Sequence, residues 1–359
     1  MAIGGLGWGI APRDADARDP VGRALEKHRR RAIERGCRFL VDMQNKPGSF
    51  GKEDKAIVAL TALSVLALMA DGSTDGRGPY GEQVRKGLDW LLRCITERSP
   101  EVKWHEGYFF HPRDISSQMH GQGYATLALA TALGTSTGRR YRQIREVLSK
   151  AVACIEQAQT QTGGFGYKPV PTGEHEGSVT VAVAQGLRAA HDAGLTVSDN
   201  VVKKGLYYLK RSQKPDGSFK YSLHSDQSSY ALTAAAISSF FLYGKYGDDP
   251  RDRTLQRGLD YIMSMIDSVN RTGRWYYYGH FYAAWSCWQK DGDDWDIRRG
   301  GYWARWHREV YAHLLERQRE SDGAWEEDYD RFEFGPVLYT AFSVLTLAIP
   351  DEVLPIFQR

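Results

Sequence analysis

Gln213-Lys214-Pro215-Asp216-Gly217-Ser218-Phe219 decides how this chain is read, because its pattern recurs. Gln318-Arg319-Glu320-Ser321-Asp322-Gly323-Ala324-Trp325 has the same order of glutamine, glycine and aromatic residue. So do Gln159 to Phe165, and Gln44 with Gly48-Ser49-Phe50. Glycine supplies the positive φ of a tight reversal after a helix. The aromatic residue two positions on has a large apolar surface to bury against a neighbouring unit. A glutamine amide both donates and accepts, so it can hold loop backbone groups. One such loop is a weak signal. Four of them, in register with a helical period, define a repeat.

Working outward, each loop lies between a first and a second helix, and the second ends at a glycine. The unit starts near Gly36, Gly87, Gln159, Gly205, Gly258 and Leu314, which gives about six copies. The second helices read as 55–70, from near His120 to Leu133, Val179 to Gly194, a stretch ending at Gly244, a stretch ending near Asp291-Gly292, and Val337 to Ile349. First helices such as Arg142 to Glu156 are amphipathic and charged. Second helices such as Ala231 to Phe241 are small, apolar and nearly uncharged. A helix apolar all round is buried on all sides. The pattern therefore predicts an all-α chain, an α6–α6 barrel with second helices inside and first helices outside. Six pairs close the ring and leave no unpaired end repeat. Residues 23–359 form the toroid domain, and the Gly-, Asp- and Arg-rich residues 1–22 read as a flexible N-terminal segment. Short strand-like pieces are expected only in the Gly-aromatic loops.

The loops at Gln213 and Gln318 resemble the Gln-Trp motifs of squalene–hopene cyclases, and Gln159 to Phe165 resembles the repeat of protein prenyltransferase β subunits. The resemblance covers roughly residues 32 to 350. It identifies the chain as similar to the terpenoid cyclase and protein prenyltransferase toroids, in particular to standalone bacterial prenyltransferase/squalene-oxidase-repeat proteins. It implies a central apolar cavity and an isoprenoid or other apolar ligand.

Composition excludes other classes. The chain has 359 residues, 42% hydrophobic and 25% charged, with a net charge of +3. That balance is too mild for nucleic acid, and Arg29-Arg30-Arg31 reads as a solvated helix face. Cys37, Cys94, Cys154 and Cys287 form no Cys-x-x-Cys pair and read as buried free thiols, which fits a cytoplasmic location. Met1 to Ala17 lacks the pattern of a signal peptide. The longest apolar stretch, Ala56 to Ala70, is shorter than the roughly 20 residues of a transmembrane helix, so no membrane-spanning segment is expected.

In this repeat the loop leads into the inner helix, so the amino ends of all inner helices gather at one mouth. The resemblance implies functional side chains there. Squalene cyclases carry an Asp-x-Asp-Asp acid at the start of an inner helix. Here Asp291-Gly292-Asp293-Asp294 follows the fifth inner helix and reads as a solvated loop at the opposite mouth. Glu53-Asp54, Glu174 with Glu176, Asp226 and Glu333 occupy mouth positions without forming that triplet. Prenyltransferases hold zinc with an Asp-x-Cys pair and a histidine. Tyr278 and His280 stand where the pair would be, and Cys287 lies roughly 10 Å along the helix axis from His280. No metal and no cofactor is expected, since fewer than three protein ligands rarely hold zinc.

The candidate catalytic residues are His120, Asp226 and His280, each read at a loop-to-inner-helix junction. Histidine works as acid or base near neutral pH. Tyr124, Trp275, Tyr277 and Tyr278 are the candidate ligand-binding residues, an aromatic wall that could stabilise a cation. The structural alternatives are satisfied core or capping histidines, an N-cap role for Asp226, and inter-repeat packing for Trp275 to Tyr278. The leading functional expectation is an enzyme, active or degenerate, on a polyisoprenoid or similar apolar substrate. The alternatives are a non-catalytic toroid that binds a ligand or a protein partner, and a polysaccharide-active enzyme.

Overall fold

A computed structural model describes residues 20–51, 55–96, 106–114, 116–171, 173–244, 251–272, 275–292, 300–327 and 334–358. In chain order the helices are α1 (Pro20–Asp42), α2 (Ile57–Ala70), α3 (Gly81–Arg93), α4 (Gln118–Leu133), α5 (Gly138–Ala158), α6 (Gly177–Asp192), α7 (Asp199–Ser212), α8 (Tyr230–Leu242), α9 (Thr254–Thr272) and α10 (Tyr276–Asp291). Then come α11 (Tyr302–Trp306), a π-helical turn (His307–Tyr311), α12 (Ala312–Glu316) and α13 (Pro336–Ala348). Each inner helix packs on the next in the order α2, α4, α6, α8, α10, α13, and α13 packs back on α2. The ring is closed. All of α2 and all of α8 are buried, as their uncharged sequences predict. The sixth outer element is α11, the π turn and α12 in one run. Among the described residues the β structure consists of isolated bridges, such as Gln44 with Phe50 and Gln213 with Phe219, inside the loops.

The motif holds the ring together by one device used repeatedly. Gln44, Gln159, Gln213 and Gln318 each donate Nε2 to the carbonyl of their own loop glycine, at 3.0, 2.9, 3.2 and 2.8 Å. The same nitrogens donate to Gln83, Val201, Thr254 and Ala32 of the next outer unit at 2.8–2.9 Å. The Gln318–Ala32 bond joins the last repeat to the first. Such bonds contribute about 1 kcal/mol each, and losing one strands two carbonyls. Gly217 has φ +93°, and a Cβ there would stand 2.2 Å from the Arg257 carbonyl, so no other residue fits this approach.

Each loop aromatic is also fixed through its backbone. The N–H groups of Phe50, Phe165, Phe219 and Trp325 donate to Thr61, Thr180, Thr233 and Thr340 at 3.0–3.1 Å. The second repeat lacks both the motif glutamine and the threonine. Gln122 replaces both: its Oε1 accepts from Phe109 N, and its Nε2 donates to Gly107 O and Ala151 O. The ring seam is reinforced by Arg29, which donates to Leu347 O and pairs with Asp351. The four cysteines are free and buried. Among the described residues no helix is long and apolar enough to cross a membrane.

The expected flexible segment 1–22 falls largely outside the described residues. Asp226 does not open the fourth inner helix: α8 starts at Tyr230, and Ser229 caps it through a bond from Leu232 N. The serine wins because its hydroxyl lies one residue from the first helical turn.

Candidate functional site at the mouth of the toroid

The threonine slot sets a common register for the inner helices. Thr61, Gln122 and Thr340 are the fifth residues of α2, α4 and α13, and His280 is the fifth of α10. Two residues earlier, roughly 200° round the helix, stand Ala59, His120, Ser178, Ala231, Tyr278 and Leu338. The slot side faces the loops and outer helices, so this set faces the lumen at its amino-terminal mouth. His120 and His280 are therefore not equivalent, contrary to the sequence-based expectation. One points into the lumen, and the other takes the place of a loop-holding threonine.

His120 reaches the mouth because α4 and α6 approach closely. A Cβ on Gly123 would stand 2.3 Å from Ala182 O, and one on Gly186 would stand 2.7 Å from Gly123 O. Backbone meets backbone there, which sets the α4 amino end beside that of α6. Glu176 caps α6, accepting from Ser178 N and Val179 N at 2.8 Å each. Its side chain is 2% exposed, and its charge sits at the positive end of the helix. Ser178 Oγ donates to Glu176 Oε1 at 2.7 Å. A hydroxyl has one proton, so the Ser178 oxygen must accept from His120 Nε2, 2.9 Å away. The relay places the imidazole proton on Nε2 and leaves the lone pair on Nδ1, which makes no hydrogen bond among the described residues. Burial pushes the His120 pKa below its ordinary value, and the Glu176 carboxylate, 3.5 Å from Nε2, acts the other way. The net shift favours the neutral ring.

Tyrosines enclose this group. The Tyr167 ring lies 5.9 Å from His120, and the Tyr167 and Tyr221 hydroxyls bond to one another at the rim. Tyr278 comes from the opposite wall, for α10 is three steps from α4 around the ring. Its hydroxyl is buried without a hydrogen-bond partner among the described residues. Burial drives its pKa far up, with Tyr124, Glu176 and Tyr167 adding to the effect. One layer deeper, Tyr124 and Tyr282 join their hydroxyls at 3.2 Å across the lumen, and Tyr282 donates to Gln185 at 3.0 Å. That chain is a floor. At the far end Gln289 donates to Phe357 O, and Phe357 packs on Trp285 with ring centres 6.0 Å apart.

The other candidates lie elsewhere. His280 is 1% exposed; its Nδ1 is 3.0 Å from Tyr230 Oη, and its ring is 4.4 Å from Tyr276 and 6.3 Å from Trp306. Asp226 is 94% exposed and paired with Lys220 at 2.8 Å, which holds its carboxyl below the usual range. Trp275 precedes α10 with φ +62° and packs near Phe334, with ring centres 6.4 Å apart. Tyr277 is buried and donates to Glu326 O, in the loop before α13, at 2.9 Å. The structure thus joins His120 to Ser178, Glu176 and Tyr167, and joins Tyr124 and Tyr278 to Tyr282. Glu176 was legible as a polar residue before a small-residue helix start; its relay through Ser178 was not. Asp291 ends α10 at the far mouth and accepts from Trp303 N. Asp293, Asp294, Glu53, Asp54 and Glu333 lie outside the described residues. Among the described residues no three His, Cys, Asp or Glu side chains gather as a metal group.

No protein-family model and no curated protein matches the chain. Solved structures do. The cellobiose 2-epimerase of Spirochaeta thermophila aligns with a TM-score of 0.64 at 12% identity, over 93% of this chain and 99% of that one. The α-1,6-mannanase GH76A of Salegentibacter aligns at 0.62 and 12%, over 90% and 99%. The type II terpene cyclase MstE of Scytonema aligns at 0.53 and 18%, over 91% and 100%. At these identities the likeness is one of fold, and it makes this chain an α/α toroid.

Proposed function

We propose that the chain is an enzyme that holds a compact ligand at the amino-terminal mouth and moves a proton with His120 Nδ1. The observation that carries this reading is the relay from Glu176 through Ser178 to His120 Nε2. A neutral imidazole with its tautomer fixed from behind and its second nitrogen unbonded is the arrangement general-base catalysis uses. The Tyr124–Tyr282 floor favours a compact ligand over a long isoprenoid threaded through the lumen. Structural neighbours that include an epimerase and a D-mannose isomerase make small hydroxylated substrates reasonable. The apolar-ligand reading retains support from Leu338, Trp275 and Phe334, which add apolar surface on the α10–α13 side.

Histidine-labelled NMR tests the reading. His120 should titrate below its ordinary value as the Nε2–H tautomer. Glu176→Gln should lower its pKa further by removing the charge that favours the imidazolium. A protonated His120 at pH 7 would remove the base. Mass spectrometry of molecules released from the purified protein tests the ligand class. A stoichiometric C15 or longer isoprenoid would overturn the compact-ligand reading.

A further inference from the structure

We propose that Tyr278 is the catalytic partner of His120, and that together they enolise a compact hydroxycarbonyl substrate. This rests on His120 being the base. The two residues stand at the same register position on opposite walls of the mouth, with Glu176 and Tyr167 beside His120. Each has an unused valence: the Nδ1 lone pair of His120 and the hydroxyl of Tyr278. A buried hydroxyl without a partner is costly, so a polar ligand atom that reaches Tyr278 relieves that cost. Tyr282 at 4.7 Å and Phe342 at 5.7 Å hold the Tyr278 ring edge-on, so it is positioned before any ligand arrives. A phenol that keeps its proton donates to an oxygen, and the oxygen that gains most from such a bond is one on which charge develops.

The step balances within the site. Nδ1 takes the proton from the carbon next to the carbonyl. The C–H bonding pair becomes the C=C bond of an enediolate, and the carbonyl π pair moves onto oxygen. That oxygen accepts the Tyr278 hydrogen bond, and the imidazolium of His120 balances its charge. Return of the proton to the former carbonyl carbon, with the enediolate's hydroxyl proton passing to the neighbouring oxygen, completes an isomerisation, and exchange of the imidazolium with solvent labels the product. A compact substrate is needed because the Tyr124–Tyr282 floor lies one layer below.

The test uses dihydroxyacetone as the probe with the whole chain in D2O, followed by proton NMR. Wild type should replace carbon-bound hydrogen at least about 10-fold faster than buffer. Tyr278→Phe should lower kcat by about 10–100-fold with little change in KM and unchanged melting, as loss of one donor at a developing oxyanion does. His120→Asn should fall to the buffer rate. Wild-type exchange no faster than buffer, or a Tyr278→Phe variant as fast as wild type, overturns the proposal. If the probe shifts the His120 ring signals without exchange, enolisation fails and the His120 site stands. If neither dihydroxyacetone nor glyceraldehyde shifts them, both readings fail.

Discussion

His120 and His280 look alike in sequence, each in a Gly- and Tyr-rich run near the start of an inner helix, yet they sit in opposite environments. His280 is wedged between α8, α10 and the sixth outer element, with Tyr230, Tyr276 and Trp306 around it. His120 lines the lumen with 22% of its side chain exposed. The difference is two residues of register. On a helix that is roughly 200° of rotation, enough to exchange a loop-facing slot for a lumen-facing one. A residue type near a helix start carries little functional meaning until its face is known.

The comparison can be broken most directly at His280. His280→Ala removes a buried ring and leaves Tyr230 without its partner, so unfolding free energy should drop by about 3 kcal/mol. Urea unfolding checks this, and a loss comparable to that of an exposed-residue mutation would show that the wedge is loosely packed. Gly123→Ala comes next. Its methyl would meet the Ala182 backbone at 2.3 Å, and overpacking of this kind costs about 1–3 kcal/mol. It should also separate His120 from Ser178, so the His120 tautomer should lose definition by NMR. If stability falls while the tautomer holds, the α4–α6 approach does not position the relay.

His120→Asn should cost at most about 1 kcal/mol, since it loses one hydrogen bond at a partly exposed position. The sign of the pH effect follows from its lowered pKa. The unfolded chain binds the proton first, so protonation of His120 opposes folding only on the acid side of the ordinary histidine value of about 6.5. Activity should stay level through that value and fall only at the lower pH where the folded-state imidazole takes up its proton. A rate that rises on acidification would assign His120 the acid role instead. The smallest effect belongs to Asp226→Asn, which removes one exposed ion pair and should leave the melting temperature unchanged. A clear drop would place this carboxylate in the structural framework.

Most of the fold was readable because its signals are local and repeated. The Gln-Gly-aromatic loops, the charged first helices and the uncharged second helices each report on neighbours a few residues away, and the observed inner helices match the expected spans to within a few residues. The second repeat was harder, since Gln122 replaces two separate motif residues from inside a helix. Of the proposed site, His120, Tyr124 and Tyr278 were named from sequence. His280 and Tyr277 were grouped with them because they share a tyrosine-rich run, and their faces separate them.

What the sequence determined by itself was the toroid: six helix pairs, their layer and their closure, because burial follows composition and the loop chemistry is repeated along the chain. Tertiary structure decided the site. The Glu176–Ser178–His120 relay joins α4 to the cap of α6, and the Tyr124–Tyr282 floor joins helices on opposite sides of the ring. Those distances depend on how closely two helices approach and on which face each turns inward. Glycine contacts between backbones and the angular register of each helix fix both, and neither is a property of any one stretch of sequence.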